Sequence, residues 1–276
     1  MRIMAKRESQ NSILTFIIIF VVIIVGVFLM VFFALRGNNA SSSVSSNEGK
    51  IVPSSTIQQL ADVPMSNIKN SLSTKASTAL QSVSYPTPIT KNGLPEVLYV
   101  GAEYCPFCAA ERWAIIIALS KFGSFSNLHY IQSSSSDIDP NTSTFSFYGS
   151  NYTSKYISFV PVETYTNVAD PNGGYTPLQS LTSSESTLFN HFDAPPYVSS
   201  SSAGSIPFVD IANKYILIGA QYVPDVLQSK NWNEILSAIG TPNSSISNDI
   251  LSASGYLIQD ICKATNGQPS NVCSKI

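Results

Sequence analysis

The stretch Pro95-Glu96-Val97-Leu98-Tyr99-Val100-Gly101-Ala102-Glu103-Tyr104-Cys105-Pro106-Phe107-Cys108 decides how this chain folds. Val97 to Val100 is a short apolar run and reads as a buried strand. Gly101 to Tyr104 reads as the turn out of it, and Cys105 opens an apolar helix that Gly123 should end. Two thiols separated by two residues in the first turn of a helix are close enough to form a disulfide. The first of them stands where unpaired backbone N–H groups and the helix dipole favour negative charge. A thiolate is therefore expected at Cys105, the form that attacks disulfides, with Cys108 one turn on as the less exposed, resolving thiol. Pro106 suits the first helical position, because its missing N–H would have no helical partner there.

The helix from Cys108 to Phe122 is apolar nearly all round, with Glu111, Arg112, Ser120 and Lys121 as its polar breaks. Such a helix is expected to be buried between layers. Glu111 and Arg112 are expected at its solvent edge, with tuning of the thiolate as the alternative, and Glu103 is expected as a solvated turn residue.

Further strands are expected at Leu128 to Ile131, Tyr156 to Tyr165, Phe208 to Ile211 and Tyr215 to Ile218, and helices at Ser183 to Phe192, Trp232 to Ile239 and Ile246 onward to Gly267. Ser133 to Lys155 has no clear period and reads as a long loop or small insertion. The fold class is α/β, a mixed sheet flanked by helices.

Ala102-Glu103-Tyr104-Cys105 after an apolar strand resembles the active-site approach of the thioredoxin superfamily, and the Cys-Pro-Phe-Cys filling is closer to its glutaredoxin and DsbA-like members. The run Ala109-Ala110-Glu111-Arg112-Trp113 resembles a narrower group, archaeal membrane-anchored thioredoxin-like proteins known from Sulfolobus and relatives. The resemblance implies that Pro207 is a cis-proline opening the strand that faces the cysteines, and that the backbone of Ile206 pairs with a substrate peptide. It implies Cys105, Cys108 and Pro207 as the catalytic set, with Tyr104, Pro106, Phe107 and Ile206 contacting substrate. It also implies a buried acid on the strand before the motif, where this chain has Tyr99. Glu103 or solvent would then handle the proton.

Ile13 to Leu35 is 23 residues without a charge, long enough to cross a hydrocarbon core. Arg2, Lys6 and Arg7 precede it, which places the N-terminus in the cytoplasm and the rest outside. A cleaved signal peptide is the competing reading, for which the apolar core is too long and Asn38-Asn39-Ala40 a poor cleavage site. Residues 37–90 read as a polar tether followed by two short helices, either packed on the domain or forming a stalk, and residues 91–276 as the extracytoplasmic domain. Asn39, Asn141, Asn151 and Asn243 each begin a glycosylation triplet.

With 12% charged residues and a formal net charge of −2, nothing suggests a nucleic-acid surface. The surplus of Ser, Thr, Asn and Tyr is a surface whose charge barely responds to pH, and an acidic exterior is our hypothesis for it. Cys262 and Cys273 are expected to form a structural disulfide, with a second redox pair as the alternative. A zinc site would need four ligands, and the second cysteine pair has the wrong spacing for one. His129 fits an ordinary strand position, and His191 is the only other histidine. Ala109 after Cys108 excludes the usual haem-attachment motif. No cofactor or metal is expected, and the partners would be protein thiols or disulfides with a redox partner. The expected activity is thiol-disulfide exchange, and the alternative is a binding or structural module whose disulfides do no chemistry.

Overall fold

The structure is a computed structural model that describes residues 47–276. The expected membrane segment and Asn39 lie outside the described residues. Among the described residues, no helix is long and apolar enough to cross a membrane.

Helices α1 (Ser54–Ala61) and α2 (Met65–Leu72) come first. They are not a stalk, because Leu60 and Ile68 are buried in the main core. Strands β1 (Gln81–Ser82), β2 (Thr90–Lys91) and β3 (Leu94–Gly101) lead to α3 (Pro106–Leu119). After α3 come β4 (Gly123–Ser126), β5 (His129–Gln132), β6 (Ser143–Ser146) and β7 (Asn151–Ser154). Then follow β8 (Ser158–Glu163), β9 (Tyr165–Ala169), β10 (Tyr175–Pro177) and α4 (Ser183–Phe192). The chain closes with β11 (Phe208–Ile211), β12 (Tyr215–Ile218), α5 (Trp232–Ile239), α6 (Ser245–Ala264) and α7 (Ser270–Cys273). Helix α3 stops at Leu119 with Ser120 as its cap, and Gly123 instead begins β4.

The central sheet is mixed. β3 runs antiparallel to β11 and parallel to β8, β12 and β1 continue beyond β11, and β2 pairs with the first residues of β3. The parallel pair β3–β8 is joined through α3, as a crossover connection requires. Val97 and Tyr99 face the core that contains α3, whereas Leu98 and Val100 face a second core with Leu188 and Phe192 of α4. Burial on both faces is why this strand reads as an unbroken apolar run. The arrangement is consistent with a thioredoxin-like fold.

Residues 133–155 carry two strands and so form a small insertion rather than a long loop. β5 pairs with β6 and β4 with β7, forming two antiparallel pairs between α3 and β8. The strand pattern was hidden because every residue of β6, Ser143 to Ser146, is buried whatever its polarity. Each polar group there finds a partner. Thr144 Oγ1 donates to the Ala109 carbonyl at 2.7 Å and Ser143 Oγ to that of Lys230 at 2.8 Å. The indole N–H groups of Trp113 and Trp232 donate to the carbonyls of Ser143 and Thr144.

Helix α6 packs on α3 and α2. A methyl group added at its Gly255 would approach Leu72 of α2 to 2.7 Å, so the crossing depends on glycine there. Cys262, near the end of α6, is bonded to Cys273 of α7. Asn141, Asn151 and Asn243 are exposed, whereas Thr142 and Ser143 of the first triplet are buried.

Two predictions follow from this packing. Burial raises the carboxyl groups of Glu111 and Asp210 to about 7, against about 4 in an unfolded chain. The native state therefore holds these protons more tightly. Their stabilising contribution is complete below about pH 4 and is lost as pH rises through about 7. Thermal unfolding should show a higher midpoint near the acid end of that window, and Glu111→Gln with Asp210→Asn should flatten the slope; a midpoint that rises with pH would contradict this. Replacing Cys262 and Cys273 by serine should remove about 3 kcal/mol in denaturant unfolding, the loop-closure value for such a span, whereas no change would show that the bond does not constrain the chain.

Candidate thiol-disulfide site

Cys105 is the N-cap of α3, with φ −75° and ψ 122°, and Pro106 is its first helical residue. A side-chain oxygen normally caps a helix at this place. Here the sulfur does so, and Cys105 Sγ accepts from the Cys108 amide at 3.2 Å. Both cysteines are free thiols.

The two sulfurs differ in environment. Cys108 is wholly buried, and burial pushes its thiol well above the ordinary range; its hydrogen bond to Cys105 acts in the same direction. Cys105 is 5% exposed. Its thiol is pushed down, chiefly by the hydrogen bond from Cys108, with burial opposing and the Cys108 amide and the Arg112 cation assisting.

Ala102, Cys105, Cys108, Tyr104, Phe107 and Ile206 form one packed cluster. The Ile206–Pro207 peptide bond is cis, and the Ile206 carbonyl lies 3.8 Å from Cys105 Sγ. Pro207 is buried at the start of β11, and Pro106 is buried in the first turn of α3, while Tyr104, Phe107 and Ile206 are half-buried. The expected site residues therefore converge on one place, and Cys262 with Cys273 lies apart from it in the main core.

Three expectations fail here. Arg112 is not at a solvent edge but fully buried, where Nε and Nη2 donate to the two Glu163 carboxylate oxygens at 2.9 and 2.7 Å and Nη2 also donates to the Ala102 carbonyl at 2.7 Å. Glu111 is fully buried as well and accepts from the Gln221 amide at 3.0 Å. Glu103 is not a solvated turn residue. It is 9% exposed, takes a hydrogen bond from Ser146 Oγ, and burial raises its carboxyl. All three are covered by partners distant in the sequence: Arg112 by Glu163 of β8, Glu111 by Gln221 after β12 and Glu103 by Ser146 of β6.

Two contributors escaped sequence reading altogether. Glu163 closes β8 opposite Gly101, and its only sequence signal is a carboxylate ending an otherwise apolar run. Tyr175 stacks on Tyr104 with ring centres 4.0 Å apart and planes 5° from parallel, so the β9–β10 hairpin supports the turn before Cys105. Tyr99 is fully buried, and its hydroxyl lies beneath Gly101, where a side chain would collide with it. Among the described residues no group of three or more His, Cys, Asp and Glu side chains is placed to hold a metal.

Alkylation mapped residue by residue should find Cys105 modified at a pH below the free-thiol value of about 8.5, with Cys108 resistant well above it. Equal reactivity of the two would contradict the asymmetry.

The family described as a domain of unknown function, DUF929, matches residues 81–263. No curated protein and no solved structure matches the chain. The matched segment contains both cysteines, Glu163 and Pro207, and covers more than half of the 276 residues. The chain belongs to the DUF929 family.

Proposed function

We propose that this protein is a thioredoxin-like, membrane-anchored thiol-disulfide oxidoreductase that acts on protein substrates outside the cytoplasm. The observation that carries this reading is Cys105 Sγ capping α3 beside the carbonyl of Ile206. A sulfur so placed is favoured as an anion by the backbone amides around it.

In the reducing direction the Cys105 thiolate attacks a substrate disulfide, one S–S bond forms as another breaks, and one substrate sulfur leaves as a thiolate. The Cys108 sulfur, having given up its proton, then attacks Cys105. This forms the Cys105–Cys108 disulfide and expels the second substrate thiolate. Two electrons pass to the substrate, and the reverse sequence oxidises a dithiol. Pro207 and the backbone at Ile206 position the partner chain, and Tyr104 and Phe107 flank it. No organic cofactor is needed. The protein resembles archaeal membrane-anchored members of the superfamily, and the uncharged segment 13–35 behind Arg2, Lys6 and Arg7 supports a cytoplasmic N-terminus with the domain outside.

One observation favours the second reading, a binding or structural module: Cys105 is only 5% exposed. The reduction potential of the Cys105–Cys108 pair separates the two. Measured on the full chain in detergent by equilibration with thiol buffers, it should lie between about −120 and −270 mV, the span of dedicated exchange proteins. In cells, Cys108→Ser should trap partner proteins through Cys105 as mixed disulfides that reductant releases. A potential below about −300 mV with no trapped partners would establish the binding module instead.

A further inference from the structure

Arg112 is an ion buried next to the thiol site with a hydrogen-bonding pattern that packing alone does not explain. It lies four residues after Cys108, one helical turn along α3 on the same face. Its guanidinium is tied to the carbonyl of Ala102, and Ala102 packs against both Cys105 and Cys108. Glu163 of β8 clasps it with both carboxylate oxygens, while Nη1 has no partner. The ring of Tyr99, from β3, has its centre 5.9 Å from the guanidinium carbon, and the Tyr99 hydroxyl is also unpartnered. The titratable groups facing Arg112 are thus Glu163 from β8, Tyr99 from β3, Glu103 from the turn, and the two thiols at the start of α3.

A buried ion pair is a poor stabilising device, since apolar residues of similar volume hold a core as well or better. An orphaned N–H on a buried cation adds to its cost. Solvent screens nothing at this depth, so the charge acts on nearby sulfurs far more strongly than it would at a surface. At the place on β3 where the family resemblance implies a buried acid this chain has Tyr99, and the strand's one carboxylate, Glu96, stands three residues earlier.

Resting on the exchange activity proposed above, we propose that the buried Arg112–Glu163 pair is the charge regulator of the thiol site, Arg112 supplying the positive field in which the sulfurs become anions and Glu163 limiting it. Both are positioning residues. In the reducing direction, attack by Cys105 releases a substrate thiolate, which takes the proton of Cys108 and leaves as a thiol. The Cys108 anion formed in the field of Arg112 then attacks Cys105 and expels the second substrate thiolate, which takes its proton from water. Atoms and electrons balance without a carboxylate base.

The test uses the full chain, reduced, in detergent, with the disulfide of nitrothiobenzoate in stopped flow. Attack by Cys105 releases one coloured thiolate, and resolution by Cys108 releases a second. The readout is the pH at which each phase reaches half its maximal rate. Arg112→Gln should move both midpoints up by about one pH unit, a tenfold change in thiolate at fixed pH, and Glu163→Gln should move them down. Arg112→Lys should stay near the native values. A purely structural pair would give shifts of one sign, or none, in both glutamine variants, and that result overturns the proposal. Should Arg112→Gln fail to fold, Glu163→Gln still decides, because an unmoved or raised midpoint is fatal. If the native protein shows no second phase, the exchange reading falls, and the first-phase midpoints still judge the charge regulator.

Discussion

Complete burial of α3 is the constraint on which the rest of the structure depends. All of its residues except Phe107 are withdrawn from solvent, so every polar group it carries must be answered from within the protein. The main sheet covers one side, and α6 with the β4–β7 and β5–β6 pairs covers others. The answers come from distant parts of the chain. Glu163 meets Arg112 across 51 positions, and the Gln221 amide meets Glu111 across 110.

The same burial explains the asymmetry of the thiols. A helix N-terminus offers unpaired amides only in its first turn, and Cys105 is the residue that reaches one of them. Cys108 is three positions further into a helix with no water beside it. Its anion is costly there, and Arg112, tied to this cluster through the Ala102 carbonyl, is a cation that offsets part of that cost. Removing one partner of a buried ion pair typically costs ~3–5 kcal/mol, so the Arg112–Glu163 contact also locks β8 to α3. The charge that acts on the sulfurs and the packing that holds them in place belong to the same side chains.

The segment between α3 and β8 has a structural part beyond linking them. Its strands bring Phe125, Phe145, Phe147 and Tyr152 against Trp113 and Phe159, an edge-to-face cluster that closes the far side of the helix. Ser146 of β6 reaches back to Glu103, and the Ser134 amide bonds the Tyr104 carbonyl. The turn before Cys105 is thereby held from both sides, by this segment and by Tyr175 of the β9–β10 hairpin. A rigid turn keeps the sulfur at the cap, which is the geometry the proposed exchange requires.

What the sequence determined by itself is local. Val97 to Val100 as a buried strand, the helix opened by Cys105 with Pro106 at its first position, α4 to α6, and β11 with β12 were all legible, because periodicity, caps and apolar runs are short-range signals. The Cys262–Cys273 pairing and the approach of Ile206 to Cys105 were legible too, the first from cysteine spacing and the second through family resemblance. Tertiary structure alone decided which polar residues are buried. Glu103, Glu111 and Arg112 look like surface residues in any window of the sequence, and β6 looks like a loop because serine and threonine fill a strand with no exposed face. Burial depends on what else packs against a residue, and here those neighbours, Glu163, Gln221 and Ser146, come from 43 to 110 positions away. The charge environment of the thiols is a property of that assembly, not of the motif that carries them.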